Sequence, residues 1–115
     1  MSQEIQKHDF YYLRIAKAVS MGSKDPSTKV GAVLVSPAGR VISTGRNGFV
    51  SGVPDSPELY ANRKLKLDNT IHAEMNALIF AHRDLTGSTI YVWPWPCCAS
   101  CALHLVQAGV ARFVS

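Results

Sequence analysis

Four side chains have the types and spacing that metal-assisted hydrolysis needs: His72 and Glu74 in "IHAEMNALIF", and Cys98 and Cys101 in "CCASC". Imidazole and thiolate are ligands that Zn²⁺ prefers. One His and two Cys ligands leave the fourth tetrahedral position to a water molecule, which is typical of a catalytic zinc and not of a closed structural site. Glu74 follows His72 by two residues, so it can reach that water molecule and move its proton without binding the metal.

Neither half of this pattern is specific by itself. The triplet "HAE" is short enough to arise by chance, and a lone helix histidine is more often a capping or partly buried residue. The C-x-x-C spacing also serves redox and structural metal sites. All three cysteines fall in one short segment, and their odd number argues against a disulfide framework. The combination predicts a metal site, in which Cys97 is interpreted as a buried neighbour of the ligands.

Helical and strand patterns alternate along the chain. Helical patterns run from Asp9, a candidate N-cap, to about Met21, and later from about 72 to 82 and from about 98 to 107. Strand patterns are "KVGAVLVS", "RVISTG", "STIYVW" and "ARFVS", and the "PAG" between the first two predicts a hairpin turn. The stretch from 47 to 70 is the least regular and holds one short helix, "NRKLKLD". This order predicts an α/β layer structure with a central sheet of four strands.

The two later helices explain how distant residues could meet. His72 starts one of them, and Cys98 and Cys101 start the other. A parallel α/β crossover brings consecutive helix starts to the same end of the sheet. We therefore expect the imidazole and the two thiols to converge on one point.

Composition limits the class of protein. The chain has 115 residues, of which 47% are hydrophobic, and this suffices for one core, so we expect a single domain over residues 1–115. It holds no apolar run of about 18 residues, and its first ten residues have no apolar stretch that could act as a signal peptide, so a cytoplasmic protein is expected. The formal charge of +4 suits an anionic small molecule, and one basic cluster is too little for a polynucleotide groove.

Longer stretches resemble the cytidine and deoxycytidylate deaminase superfamily, and most closely its deoxycytidylate deaminases. They are "SKDPSTKVGAVLV", "GRNGF", "IHAEMNAL" and "TIYVWPWPCCASCALHLVQAGV", which include the H-x-E…C-x-x-C pattern of zinc base deaminases. The resemblance implies a three-layer α/β/α fold, and Zn²⁺ bound by His72, Cys98 and Cys101. It also implies Glu74 as the proton carrier in deamination of a cytosine nucleotide, dCMP to dUMP plus ammonia.

The same resemblance implies substrate contacts. Asn47, in the stretch like the family's "NGF" motif, would hydrogen-bond the substrate, and the backbone amide of Ala73 would bind the pyrimidine carbonyl oxygen. Tyr91 and Trp95 lie where substrate-facing residues flank the zinc in similar proteins. For Asn47 the alternative is a turn former beside Gly48, and for Trp95 it is core packing.

Three basic or hydroxyl side chains are candidates for binding a substrate phosphate, which carries about two negative charges near pH 7. Lys24 and Thr28 lie in "SKDPSTKVG", and Arg63 begins the basic cluster of the irregular stretch. A solvated helix face is the alternative for Arg63.

The sequence departs from the family pattern in three places. Cys97 stands where proline usually precedes the first zinc cysteine, and Val50 replaces the proline of "NGFP". The chain also ends at a strand, without the C-terminal element that many members have, so either that element is missing or another subunit covers the sheet edge. We expect a homo-oligomer, between a dimer and a hexamer. The alternatives to dCMP deamination are another aminated base as substrate, or a zinc-stabilised regulatory subunit without turnover.

Overall fold

The computed structural model describes residues 6–115 and contains five helices and six strands within that range. The predicted domain starts at residue 1, and its first five residues lie outside the described part. The helices are α1 (Asp9–Ser20), α2 (Pro57–Ala61), α3 (Arg63–Asn69), α4 (Ala73–Ile79) and α5 (Ala99–Gln107). The strands are β1 (Gly31–Val35), β2 (Val41–Arg46), β3 (Gly48–Phe49), β4 (Thr70–Ile71), β5 (Thr89–Trp93) and β6 (Arg112–Val114).

The predicted hairpin between the first two strands is confirmed. β1 and β2 pair antiparallel, and their connection is closed by hydrogen bonds from Ser36 N to Arg40 O at 2.8 Å and from Gly39 N to Ser36 O at 2.9 Å. Gly39 has a φ of +80°, a conformation that glycine adopts without the steric cost of a side chain. The "PAG" signal therefore predicted both the turn and its position.

Four strands form the central sheet, in the order β2-β1-β5-β6. β1 pairs antiparallel with both of its neighbours, whereas β5 and β6 run parallel and are connected through α5. This β5-α5-β6 unit is the predicted crossover. The mixed sheet of four strands is therefore as predicted, with β2 and β6 at its edges.

Two apolar clusters cover the two faces of this sheet, so the molecule has three layers. β1 is buried along its whole length, and alternate residues of β1 and β5 point to opposite faces. One cluster packs α4 and α5 on the sheet, and its buried members include Ala32, Leu34, Ala73, Ala77, Ile90, Val92, Cys101 and Leu105. The other packs α1 on the opposite face, with Tyr12, Ala16, Val33, Val35 and Tyr91. The predicted α/β/α arrangement is confirmed.

α4 lies unusually close to β2, and a glycine makes this possible. A Cβ atom built on Gly45 would lie 3.0 Å from Ala77 Cα and nearer still to Ala73 O and Ala77 N. Distances this short fall well inside the van der Waals contact of about 3.5 Å. The start of α4 therefore sits where it does because residue 45 has no side chain.

Two details of the prediction were wrong. Asp9 is not the N-cap of α1, because His8 occupies that position and Asp9 lies inside the first turn. The irregular stretch holds two short helices, capped by Ser56 and Asn62, and a two-stranded ribbon of β3 and β4, where one helix was predicted. The ribbon joins residues about 22 apart along the chain, so no local pattern marks it.

The side chain of Asp9 forms a buried ion pair with Arg112. Its carboxylate accepts two hydrogen bonds from the Arg112 guanidinium, at 2.7 and 2.6 Å, and one from the Tyr91 hydroxyl at 2.8 Å. The pKa of Asp9 is held well below its usual range, chiefly by the Arg112 guanidinium. Burial acts in the opposite direction but is outweighed. The pair fastens the start of α1 to the edge strand β6.

Within residues 6–115, none of the helices has the length and hydropathy needed to span a bilayer.

Candidate active site

The four residues singled out by type and spacing come together at the starts of α4 and α5. His72 is the N-cap of α4 and keeps an extended backbone, and Glu74 lies in the first turn with 5% of its surface exposed. Cys98 is the N-cap of α5, and Cys101 is buried in its first turn. One ligand atom from each of the four side chains lies within 4.8 Å of every other.

The geometry of the two thiols and the imidazole fits a tetrahedral metal ion. His72 Nδ1 lies 3.4 Å from Cys98 Sγ and 3.4 Å from Cys101 Sγ. Zn–N bonds of about 2.0–2.1 Å and Zn–S bonds of about 2.3 Å, at tetrahedral angles, separate nitrogen and sulfur by about 3.5 Å. The distances in the structure agree with that value, so these three side chains could bind Zn²⁺ without rearrangement.

The electrostatics of the cluster also favour a cation. The pKa of the Cys101 thiol is raised to about 12. Burial is the largest cause, followed by a hydrogen bond with Cys98 and the negative charge of Glu74. A thiol in such surroundings ionises at neutral pH only when a cation compensates the negative charge. Cys98 Sγ also accepts a hydrogen bond from Cys101 N at 3.4 Å, at the positive end of α5.

Cys97 lies beside the cluster without belonging to it. The group of candidate metal ligands among the described residues contains Cys98 and Cys101 and not Cys97. Cys97 is half-buried against the apolar cluster under α4 and α5. Burial first, and then the nearby Glu74 carboxylate that its thiol hydrogen-bonds, raise the pKa of Cys97 well above its usual range. Its thiol is therefore placed as a neutral neighbour of Glu74.

Asn47 and its surroundings lie next to a cavity of about 760 Å³ between the end of α1, β2, β3 and the outer side of α4. The lining includes Asn47 and Lys24, and among the described residues it does not include the four clustered side chains. Asn47 is 5% exposed, and its amide group already bonds the backbone, accepting from Val30 N at 2.9 Å and donating to Thr28 O at 2.8 Å. The side chain can still offer one N–H and one lone pair to a ligand.

The other predicted substrate contacts differ in burial and in their position in the fold. Ala73 is fully buried in the first turn of α4, where backbone amides have no partner within the helix. Trp95 is 54% exposed in the connection that leads to Cys98. Arg63 is exposed at the start of α3, and among the described residues that line the cavity it is absent.

Tyr91 lies away from the cluster, contrary to the prediction. It is 3% exposed and packs against α1, on the face of the sheet opposite to α4 and α5. Its hydroxyl is used by Asp9, and burial together with this hydrogen bond raises its pKa to about 12. Because β5 alternates, Ile90 and Val92 point towards the metal side and Tyr91 cannot. Tyr91 supports the fold and does not face a substrate at the cluster.

A second buried ion pair, which the sequence did not predict, lies between the 23–30 loop and α3. Lys66 Nζ donates to Asp25 Oδ1 at 3.0 Å and to Ser27 Oγ at 2.9 Å. Burial disfavours the ionised form of Asp25, but hydrogen bonds from the amides of Ser27 and Thr28 and from Lys66 outweigh it and hold its pKa below the usual value. The partners are 41 residues apart, so spacing gave no signal for this pair.

The clustered side chains form a group that could hold a metal ion, and comparison with known proteins identifies the family. Residues 6–115 match the zinc-binding region of cytidine and deoxycytidylate deaminases. An uncharacterised deaminase of Aliivibrio fischeri is 43% identical over 101 residues, which are 88% of this chain and 67% of that protein. A probable deoxycytidylate deaminase of Caenorhabditis elegans is 40% identical over 114 residues, 95% of this chain and 56% of that protein. The chain belongs to the cytidine and deoxycytidylate deaminase family.

A solved structure agrees with this assignment. The dCMP deaminase of cyanophage S-TIM5 in its apo form superimposes with a TM-score of 0.73 and 26% identity, over 96% of this chain and 82% of that one. The predicted three-layer fold is thereby confirmed, and the match to the family's zinc-binding region confirms the predicted family and zinc cofactor. The chain spans between 56% and 67% of the length of the two curated relatives above.

Proposed function

We propose that this protein is a zinc-dependent hydrolase that converts dCMP and water into dUMP and ammonia. The observation that carries the proposal is the buried Glu74 carboxylate within 4.8 Å of one imidazole and two thiols. A purely structural metal site has no use for an unligated carboxylate at this position. Relatives named deoxycytidylate deaminases support dCMP as the substrate.

In this proposal His72, Cys98 and Cys101 bind the metal through Nδ1 and the two Sγ atoms. Zinc, when bound, supplies Lewis acidity that lowers the pKa of a water molecule towards neutrality. The chain contributes the fixed geometry, because two of the three ligands sit at helix N-caps and the third lies in a buried first turn.

Glu74 has the role of moving protons. Its carboxylate carries two protons in turn, the first from the attacking water to N3 of the base and the second from the hydroxyl formed at C4 to the amino group. A C–O bond thus forms at C4, the C–N bond breaks, and ammonia leaves behind the keto form of the base. Burial keeps bulk water away from this exchange.

The substrate contacts proposed are Asn47 for the nucleotide and the amide of Ala73 for the pyrimidine carbonyl, with Trp95 beside the base. Lys24, Thr28 and Arg63 are proposed for the phosphate. The support is positional: Lys24 and Asn47 line the same cavity, and Ala73 lies between His72 and Glu74.

We also propose a homo-oligomer in the cytoplasm. Ile79 and Phe80, on the outer side of α4, are 50% and 58% exposed and line the cavity beside the free edge of β2. Apolar surface of this kind at a sheet edge is typical of an interface. Zinc ligation by two thiols also requires a compartment that keeps them reduced. A monomer by light scattering, or fractionation with secreted protein, would contradict these two assignments.

The test is ammonia release by the zinc-loaded protein against dCMP, CMP, dCTP, deoxycytidine, guanine and a short single-stranded oligonucleotide. We expect turnover of dCMP, and we expect Glu74→Gln to keep one zinc per chain and lose turnover by several orders of magnitude. Turnover of a different compound would replace the substrate. The proposal would be refuted if the zinc-loaded wild type released no ammonia from any of these compounds, or if Glu74→Gln kept full activity.

A further inference from the structure

We infer that Asp25 and Lys66 are positioning residues, which together hold the 23–30 loop in the shape that binds the nucleotide. This inference rests on the proposed function, because it deepens the account of how that site recognises its substrate. The side chains of the pair are 3% and 17% exposed, so it is a largely buried contact and not a surface ion pair.

The first part of the argument is how the pair controls the loop. Asp25 Oδ1 accepts hydrogen bonds from Ser27 N at 2.9 Å, from Thr28 N at 3.0 Å and from Lys66 Nζ at 3.0 Å. Lys66 Nζ also reaches Ser27 Oγ at 2.9 Å. Lys66 thus neutralises a carboxylate that would otherwise be buried without a cation, and the carboxylate fixes two consecutive loop amides.

The second part is that the opposite side of the same loop is held by Asn47, a proposed substrate contact. Asn47 Nδ2 donates to Thr28 O at 2.8 Å, Asn47 Oδ1 accepts from Val30 N at 2.9 Å, and Ser23 Oγ donates to Asn47 O at 2.9 Å. The peptide units around Thr28 are therefore clamped between Asp25 and Asn47. A loop released from Asp25 would release Asn47 on the side that faces the cavity.

The third part is that α3, which carries Lys66, leads directly to the metal ligands. Thr70 Oγ1 donates to Lys66 O at 2.6 Å, and β4 ends one residue before His72. The pair thus sets the distance between the loop and the chain segment that enters the cluster. Neither Asp25 nor Lys66 belongs to the group of candidate ligands, so zinc content should not depend on them.

The experiment measures steady-state deamination of dCMP by Lys66→Met and Asp25→Asn, both zinc-loaded. Each removes the charge pair, and the neutral carboxamide oxygen that the second variant carries at position 25 is a weaker acceptor for the two loop amides than the carboxylate, so both variants should loosen the loop. We expect KM to rise about tenfold, as for loss of one charged hydrogen bond, with kcat within about twofold of wild type. Lys66→Arg should restore most of the affinity, and the double variant should be no worse than either single one.

Lys64→Met is the matched control, because it removes the same charge from the same helix. Among residues 6–115, Lys64 pairs with Asp68, four residues on, and its side chain is 85% exposed, so KM should stay at the wild-type value. Equal defects in Lys64→Met and Lys66→Met would overturn the inference in favour of a general charge effect. A defect in Lys66→Met that Asp25→Asn does not share would overturn it in favour of direct phosphate binding by Lys66.

Hydrogen exchange at the Ser27 and Thr28 amides gives a readout that needs no turnover. Exchange at both amides should be faster in Lys66→Met than in wild type or Lys64→Met, while exchange in α5 stays unchanged. If wild-type protein neither binds nor deaminates dCMP, the proposed function fails, and faster exchange still establishes the pair as the support of the loop. Unchanged exchange together with unchanged KM would overturn the positioning role.

Discussion

Substitution of Gly45 by alanine tests whether the position of α4 sets the activity. The new Cβ would meet Ala73 O, Ala77 N and Ala77 Cα, all backbone atoms that cannot rotate away. Restoring van der Waals distance requires the start of α4 to move by on the order of 1 Å. His72, Ala73 and Glu74 would move with it, whereas Cys98 and Cys101 belong to another helix.

Two effects follow from that shift. Overpacking of this kind costs about 1–3 kcal/mol in the free energy of unfolding. A displacement of about 1 Å between Glu74, the proposed proton carrier, and the reacting atoms costs about 100-fold in kcat. The assay is kcat for dCMP per zinc-loaded chain, measured beside urea unfolding, so that loss of folded protein is separated from loss of rate.

Two other glycines provide matched controls. Gly31→Ala would place a Cβ 2.6 Å from Ser20 N and close to Ala16 O, so it should destabilise the protein by moving α1, on the other face of the sheet, with little change in kcat. Gly48→Ala meets no atom within 4 Å and should leave the free energy of unfolding unchanged. Wild-type kcat in Gly45→Ala, or an equal loss of kcat in Gly31→Ala, would refute the reasoning.

Two further predictions concern the cysteines and the buried ion pair at the start of α1. Cys98→Ala should abolish zinc binding measured by elemental analysis, whereas Cys97→Ala should retain one zinc per chain; the reverse result would mean that the ligand register is wrong. Because the pKa of Asp9 is lower in the folded than in the unfolded protein, its pair with Arg112 stabilises the fold above about pH 4 and loses that effect as the pH falls further. Arg112→Met should cost about 3–5 kcal/mol at pH 7 by urea unfolding and less at pH 3, against little change in exposed Arg14→Met; an equal cost at both pH values would contradict this account.

Local patterns predicted the elements and the metal cluster well. The helix start at His72, the C-x-x-C at the start of α5 and the "PAG" hairpin each depend on residues a few positions apart, where backbone preference and spacing act directly. Convergence of the cluster followed from one topological rule. β2, β5 and β6 run parallel, so α4 and α5, which connect them in turn, begin at the same end of the sheet.

Long-range pairings were not predictable in the same way. Tyr91 was assigned to the wrong face because β5 is apolar on both faces, so alternation alone does not say which side meets α4. Asp9 was assigned as a cap because its partner, Arg112, lies 103 residues away. The Asp25–Lys66 pair was missed for the same reason. The two residues are 41 positions apart, and they become neighbours only in the folded chain.

The two halves of the proposed site come from separate parts of the chain. The candidate metal ligands and Glu74 lie between residues 72 and 101, on α4 and α5, whereas the loop clamped by Asp25 and Asn47 comes from residues 23–47, before them. Changes in the earlier segment can therefore alter which compound is accepted while the reacting groups stay in register. If the loop binds the substrate as proposed, a substitution there should change the choice of substrate and leave the chemistry at the cluster as it is.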